Sequence, residues 1–350
     1  MRNGYLILED GKFWKGFISS VNKEVLGEIV FYTGVVGYQE VITDPSYYGK
    51  IVVMTYPHIG NYGINPAGFV SKNICIKGLV VKELSKISTN WASIKNFLEF
   101  SQENGIFVLE NVDTQEITSY IRENGVKKAI LTIEKLNKNA LSKKFELFDT
   151  EEDKVKYVSC KSPYKVGNGS FKIVAIDLGI LEPHLNILSN FSEVIVVPYE
   201  ITSEEILSYK PDGIFISSGP GSPLPLEKTI NEVKKIIGKK PIFGIGLGML
   251  VLSLSLGFNV FKMKTGHYGI NQPVKDLIKR KNRITTQAHL YNFSLDFLEK
   301  EINVWFTNIN DSTVEGIVSE DFKIIGVNFY PTQDDDIWIK FKEFLNAEKK

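Results

Sequence analysis

Short apolar runs dominate the first part of the chain. YLILEDGKFWKGFI reads as two strands joined at Asp10-Gly11, a dipeptide suited to a tight hairpin. EIVFYTG, KIVVMTY and ICIKGLVVKEL continue as β-rich runs, the last placing Cys75 in a strand. Helical spacing enters later, in ASIKNFLEFSQENG and DTQEITSYIRENG. The second of these opens on Asp113 or Thr114 as N-cap and closes on Gly125. The pattern predicts a β-rich N-terminal domain over residues 1–150.

A charged stretch rich in Ser, Lys and Gly then reads as a linker over 151–170. Beyond it the texture changes. KIVAIDLG, EVIVVPY, GIFISS and PIFGIG are β-branched apolar runs of the kind found in buried parallel strands. Helix candidates separate them: LPLEKTINEVKKIIG aligns Ile230, Val233, Ile236 and Ile237 on one face, and LGMLVLSLSLG follows the fourth strand directly. KIIGVNFYPTQDD predicts a further strand ending at Tyr330-Pro331. DDIWIKFKEFLN stripes Trp338, Phe341, Phe344 and Leu345 as a packed terminal helix. Such alternation predicts an α/β, doubly wound domain over 171–350, with ligands beyond the carboxyl ends of its strands.

Composition sharpens this picture mostly by exclusion. A length of 350 residues suits two domains, and 43% hydrophobic with 23% charged residues excludes disorder, collagen-like repeats and coiled-coil arrays. Zero formal charge gives no pull toward nucleic acid or an anionic membrane. Cys75 and Cys160 make no disulfide framework. With only His58, His184, His267 and His289 beside them, no zinc-type spacing exists, so no metal site is expected. The N-terminus lacks the apolar core of a signal peptide, and Leu247 to Phe261 is too short and broken to span a bilayer. A soluble, cytoplasmic protein is expected. His267 sits in a turn-like run, and His58 and His184 suit local hydrogen bonds better than metal.

Three segments offer chemistry. In ISSGPGSPLP, Gly219 and Gly221 let the backbone approach a ligand, although on this segment alone a plain strand-to-helix turn is the favoured reading. In PIFGIGLGML a strand runs into Gly-x-Gly-x-Gly and then a helix, the shape of a nucleophile elbow. Its central residue is Gly246, which carries no nucleophile. The spacing does not fit a dinucleotide fingerprint. In the third segment, Tyr330-Pro331-Thr332, nothing acts as a base near neutral pH, because tyrosine titrates near ~10.

Longer runs carry a family resemblance. GEIVFYTGVVGYQEVITDPSYYGKIVVMTYPHIGNYGIN, GLVVKELS, Asn90-Trp91, VAIDLGILEPHLNIL, PDGIFISSGPGSP, FKMKTGHYGINQPVKD and TNINDSTVEGI together resemble the small, glutamine-hydrolysing subunit of carbamoyl-phosphate synthetase. The likeness covers almost the whole chain. It implies a class I glutamine amidotransferase-like second domain and a partner, the large subunit, which holds the ATP and Mg. No cofactor is expected on this chain.

The resemblance also implies a Cys–His–Glu triad at positions occupied here by Gly246, Tyr330 and Thr332. The polar pair expected after Leu247-Gly248 is Met249-Leu250. The expected Gln-Asn-His-Gly-Phe run reads Gln287-Ala288-His289-Leu290-Tyr291, and serines stand in the loop Ser217 to Ser222. Ser46, Gly219, Gly221 and Leu247 still match the implied glutamine pocket. These residues lead to the expectation of a non-hydrolysing partner or regulator of the large subunit, serving arginine or pyrimidine synthesis. Two alternatives stand beside it. One is an active glutaminase with unrecognised residues, such as Ser217, Ser218 or Ser222 with His289. The other is a small-molecule sensor in the altered pocket.

Overall fold

The hairpin forms at Asp10-Gly11, where Gly11 adopts φ 88°, a left-handed conformation that glycine takes at little cost. It joins β1 (Arg2–Leu8) to β2 (Phe13–Ile18), with Leu6 opposite Trp14. A computed structural model describes residues 2–19, 24–294 and 301–349. The chain divides into two compact units, one of 1–150 with 264–269 and one of 151–263 with 270–350.

In the first unit β3 (Val25–Tyr32), β4 (Lys50–Met54), β5 (His58–Ile59), β6 (Gly78–Val80), β7 (Glu83–Leu84), β8 (Phe107–Glu110) and β9 (Lys128–Thr132) follow the hairpin. Seven strands close a barrel in the order β1-β2-β8-β6-β4-β3-β9, and β5 pairs with β7. Alternate positions point inward, so Leu6, Leu8, Ile29, Ile51, Val53, Val80, Phe107, Leu109 and Leu131 fill the barrel core. Glu28 and Lys50 face each other across β3 and β4 and pair at 2.6 Å while fully buried.

Four helices accompany the barrel: α1 (Tyr38–Thr43), α2 (Phe97–Glu103), α3 (Thr114–Asn124) and α4 (Lys138–Glu146). Asp113 is the N-cap of α3, accepting from the N–H groups of Gln115 and Glu116, and Gly125 ends it at φ 82°. Helix α2 starts later than its periodicity suggested, because Asn96 caps it by accepting from Glu99 N–H. Cys75 is not in a strand. Its N–H donates to Ile42 O and its thiol to Thr43 O, which ties it to the end of α1 instead of a ladder.

The second unit holds β10 (Tyr164–Val166), β11 (Phe171–Asp177), β12 (Ser192–Pro198), β13 (Gly213–Ile216), β14 (Ile242–Ile245), β15 (Val260–Asp276) apart from its residues 264–269, β16 (Lys281–Phe293), β17 (Asn303–Asn308), β18 (Val314–Ser319) and β19 (Ile324–Val327). They form one ten-stranded sheet, β10-β12-β11-β13-β14-β19-β18-β17-β15-β16. β12 through β19 in that order are parallel, and their apolar runs build the core with Trp338, Phe341, Phe344 and Leu345. Helices α5 (Glu182–Ser189), α6 (Ser203–Ser208), α7 (Glu227–Lys234), α8 (Leu247–Ser255) and α9 (Asp336–Glu348) complete the α/β architecture.

Four local readings change. Residues 151–170 are not a bare linker: β10 lies there as an edge strand on β12, with Tyr164 and Lys165 exposed. Helix α7 stops at Lys234, and Ile236 is buried from the turn that follows, which ends on Gly238 at φ 75°. The strand expected to reach Tyr330 ends at Val327, and Tyr330 forms only an isolated bridge with Thr286. His267 lies inside β15 rather than in a turn. Among the described residues, no helix is long and apolar enough to cross a membrane.

Candidate active site in the second unit

The elbow is built as its sequence suggests. β14 delivers the chain to Gly246 at φ 55°, ψ −117°, and α8 begins at Leu247. Gly246 N–H donates to Val327 O at 2.8 Å, and Gly246 O accepts from Leu250 N–H at 3.2 Å, so the turn is locked on both sides. The flanking glycines are sterically obligatory. A Cβ on Gly244 would stand 2.7 Å from Gly248 O, and one on Gly248 only 2.2 Å from Ile216 O. These contacts let the helix start hard against β13 and β14. Gly246 differs: a Cβ there would meet only Ser218 Cβ at 3.3 Å and Cα at 3.6 Å. The apex has room for a side chain that it does not carry.

The loop after β13 borders this turn. Ser217 Oγ accepts from Leu178 N–H and donates to Ser218 O, both at 2.9 Å, and Ser222 Oγ accepts from Leu224 N–H. Ser218 is buried, and its Oγ has no hydrogen-bond partner among the described residues. Gly219 passes so close to Leu178 O that a Cβ would lie 2.1 Å away, and Gly221 at φ 84° is covered by the aliphatic stem of buried Lys154. Leu247, Met249 and Leu250 are all buried at the start of α8. Gly219, Gly221 and Leu247 thus belong to one unit. Ser46 lies in the first, buried in the turn Pro45–Tyr47, with its N–H donating to Asp44 Oδ1.

Among the described residues, none of the hydroxyls of Ser217, Ser218 and Ser222 is joined to His289. That ring is engaged elsewhere: Nδ1 lies 3.0 Å from Asn328 Nδ2 and 3.1 Å from Tyr291 O, and Nε2 lies 3.2 Å from Gln287 Oε1 and 3.4 Å from Glu315 Oε2. Glu315 is fully buried and also accepts from Thr313 Oγ1. Inspection of the sequence missed this polar cluster. Glu315 stood in a quoted run, but its closeness to His289 depends on how β16 and β18 are laid in the sheet.

Tyr330 and Thr332 come together at a cavity of about 350 Å³, lined also by Ile270, Arg283, Ile284, Thr285, Thr286 and Asp335; Gly246 is not in the lining. Thr332 donates from both N–H and Oγ1 to Asp335 Oδ2, at 2.7 and 3.2 Å. Arg283 binds Asp276, Asp335 and Asp336, and Lys279 adds a further contact to Asp336. Burial pushes the Asp336 carboxyl up, but Lys279 and Arg283 outweigh it and hold it below the usual carboxylate range. His184 packs edge-on against Tyr330 at 5.5 Å, and its Nδ1 has no partner among the described residues. Burial pulls its pKa down to about 4, so the ring is neutral near pH 7. His58 sits at the surface beside Glu83. Neither thiol is activated: burial pushes Cys75 and Cys160 up to about 12.

The carbamoyl-phosphate synthase small-chain domain matches residues 6–131, and the class-I glutamine amidotransferase domain matches 174–334. The chain is 41% identical to the carbamoyl phosphate synthase small chain of Clostridium perfringens, over 93% of each. The chain belongs to the carbamoyl phosphate synthase small-chain family. Its likeness to the small chain of Caldanaerobacter subterraneus is 40% identity over 99% of this chain and 98% of that one. It is 39% identical to the pyrimidine-specific small chain of Bacillus subtilis, over 93% of this chain and 90% of the relative. In this small-chain family member the apex of the elbow is Gly246, at φ 55° and ψ −117°.

Proposed function

We propose that this chain is a non-hydrolysing small chain that binds an ATP-dependent large synthetase chain and supports or regulates its use of ammonia. The observation that carries the reading is Gly246, a bare apex on an elbow with room for a side chain. The resemblance places base and orienter at Tyr330 and Thr332, which have neither chemistry at neutral pH. Losing one triad member typically costs on the order of a thousandfold or more in rate, and further losses add little. Met249, Leu250, Ala288 and Leu290 also leave polar atoms of a bound glutamine unpaired, at roughly 1–3 kcal/mol each. ATP and Mg would sit on the large chain, in the cytoplasm, and the product would serve arginine or pyrimidine synthesis.

The experiment is co-purification with the organism's large chain, followed by carbamoyl phosphate synthesis from ammonia, ATP and bicarbonate. A stable complex, active with ammonia and silent with glutamine, is the expected result. A chain that ignores the large chain contradicts the reading.

A further inference from the structure

We propose that the tip of the β15–β16 hairpin, with the cavity beside it, is the surface that docks an acidic, aliphatic-bearing face of the large synthetase chain. The proposal rests on the partner reading above. In a chain of zero net charge, the stretch from Val274 to Thr285 holds Lys275, Lys279, Arg280, Lys281 and Arg283 against a single acidic residue, Asp276. The structure sorts these cations. Arg283 is paired with Asp276, Asp335 and Asp336, and Lys279, itself exposed, with Asp336. Lys275, Arg280 and Lys281 are exposed, and none of them enters an ion pair among the described residues.

Between the free cations stand exposed aliphatic side chains: Leu277 at 39%, Ile278 at 58% and Ile284 at 66% exposure. They are held rigidly. Asp276, itself fully buried, accepts from the N–H groups of Ile278 and Lys279 at 3.0 and 2.8 Å, and Leu277 N–H donates to Trp305 O at 2.8 Å. Arg280 completes the turn at φ 54°. A tip ordered in advance gives up little entropy on binding. Ile284 and Arg283 continue into the cavity of about 350 Å³, whose other walls include Ile270, Tyr330 and Thr332. Apolar contacts inside a charged rim, next to a recess for one anchoring side chain, suit a protein partner. The tip offers no exposed aromatic on which bases would stack. Charge complementarity selects an acidic partner surface, and the large chain is the partner of the proposed function.

The test titrates the full-length protein with the organism's large chain at two salt concentrations. Two variants accompany it: the charge reversal Lys275→Glu/Arg280→Glu/Lys281→Glu, and Ile278→Ser. Among the described residues, none of the four side chains is bonded to the rest of the fold, so thermal unfolding of the variants should match the wild type. Expected are wild-type binding that weakens with salt, a loss of about tenfold or more in the reversal, and a loss of roughly threefold or more in Ile278→Ser. Wild-type binding that both variants preserve overturns the surface and leaves the partner reading standing. No wild-type binding overturns both. The same reversal abolishing attachment to phosphatidylserine vesicles or single-stranded RNA, with large-chain binding untouched, overturns the proposal in favour of those partners.

Discussion

The turn at Gly246 and the loop from Tyr330 to Asp335 occupy positions that the family resemblance gives to one reaction, yet they differ in kind. At the turn the backbone of an elbow is intact, down to the obligatory glycines on either side, and only the apex side chain is missing. At the loop the side chains have built a different structure. Thr332 is bonded to Asp335, Asp335 to Arg283, and Tyr330 packs on a neutral buried histidine. The first region is a bare apex on a fixed frame. The second is a network of side chains bonded to one another. Restoring one side chain therefore addresses only half of the difference.

The largest effects should come from the frame. Gly248→Ala would drive a methyl against Ile216 O, which belongs to a central strand and cannot yield; a loss of at least ~3 kcal/mol is expected in denaturant unfolding. Gly246→Ala needs only a small shift of Ser218, 3.3 Å from the new Cβ, besides the cost of its backbone angles, about 1–2 kcal/mol. Equal losses in the two variants would erase the distinction between frame and apex.

Next in size is the acid response of His184. Its pKa is near 6.5 when unfolded and about 4 when folded, so the unfolded chain binds the proton first as pH falls. Stability is full above pH 6.5 and is lost progressively down to about 4, by roughly 3 kcal/mol from this one ring. His184→Leu should flatten that part of the pH–stability curve. An unchanged slope would remove His184 from the account of the Tyr330 side of the site.

A smaller effect is expected at the loop surface. Asp335→Ala removes the acceptor of Thr332 and one partner of the largely buried Arg283, a cost of about 1 kcal/mol. If the loop is held by this network, the variant should also show faster hydrogen exchange at Thr332 N–H.

Much of this was legible in the chain. The barrel strands and parallel strands follow from alternation and from apolar runs, and the elbow from three glycines spaced by two between a strand and a helix. Capping was readable too, since Asp113 and Gly125 carry their roles in their own chemistry. Three of the misreadings share one cause. Cys75, β10 and the 17-residue β15 owe their states to distant partners, Ile42 and Thr43, β12, and β17. The joining of His289 with Glu315 and the sorting of the hairpin cations likewise depend on sheet order, which local pattern does not encode. Three equivalent-looking glycines also concealed that two are forced by contact and one is not.

The most direct measurement is ammonia release from glutamine by the full chain together with its large chain, ATP and bicarbonate, run for the wild type and for Gly246→Cys. The bare apex predicts background rates for the wild type. The rebuilt Tyr330 loop predicts background for Gly246→Cys as well, since the thiol would have neither base nor orienter. Turnover by the wild type, abolished by His289→Ala, or substantial turnover by Gly246→Cys alone, would contradict it.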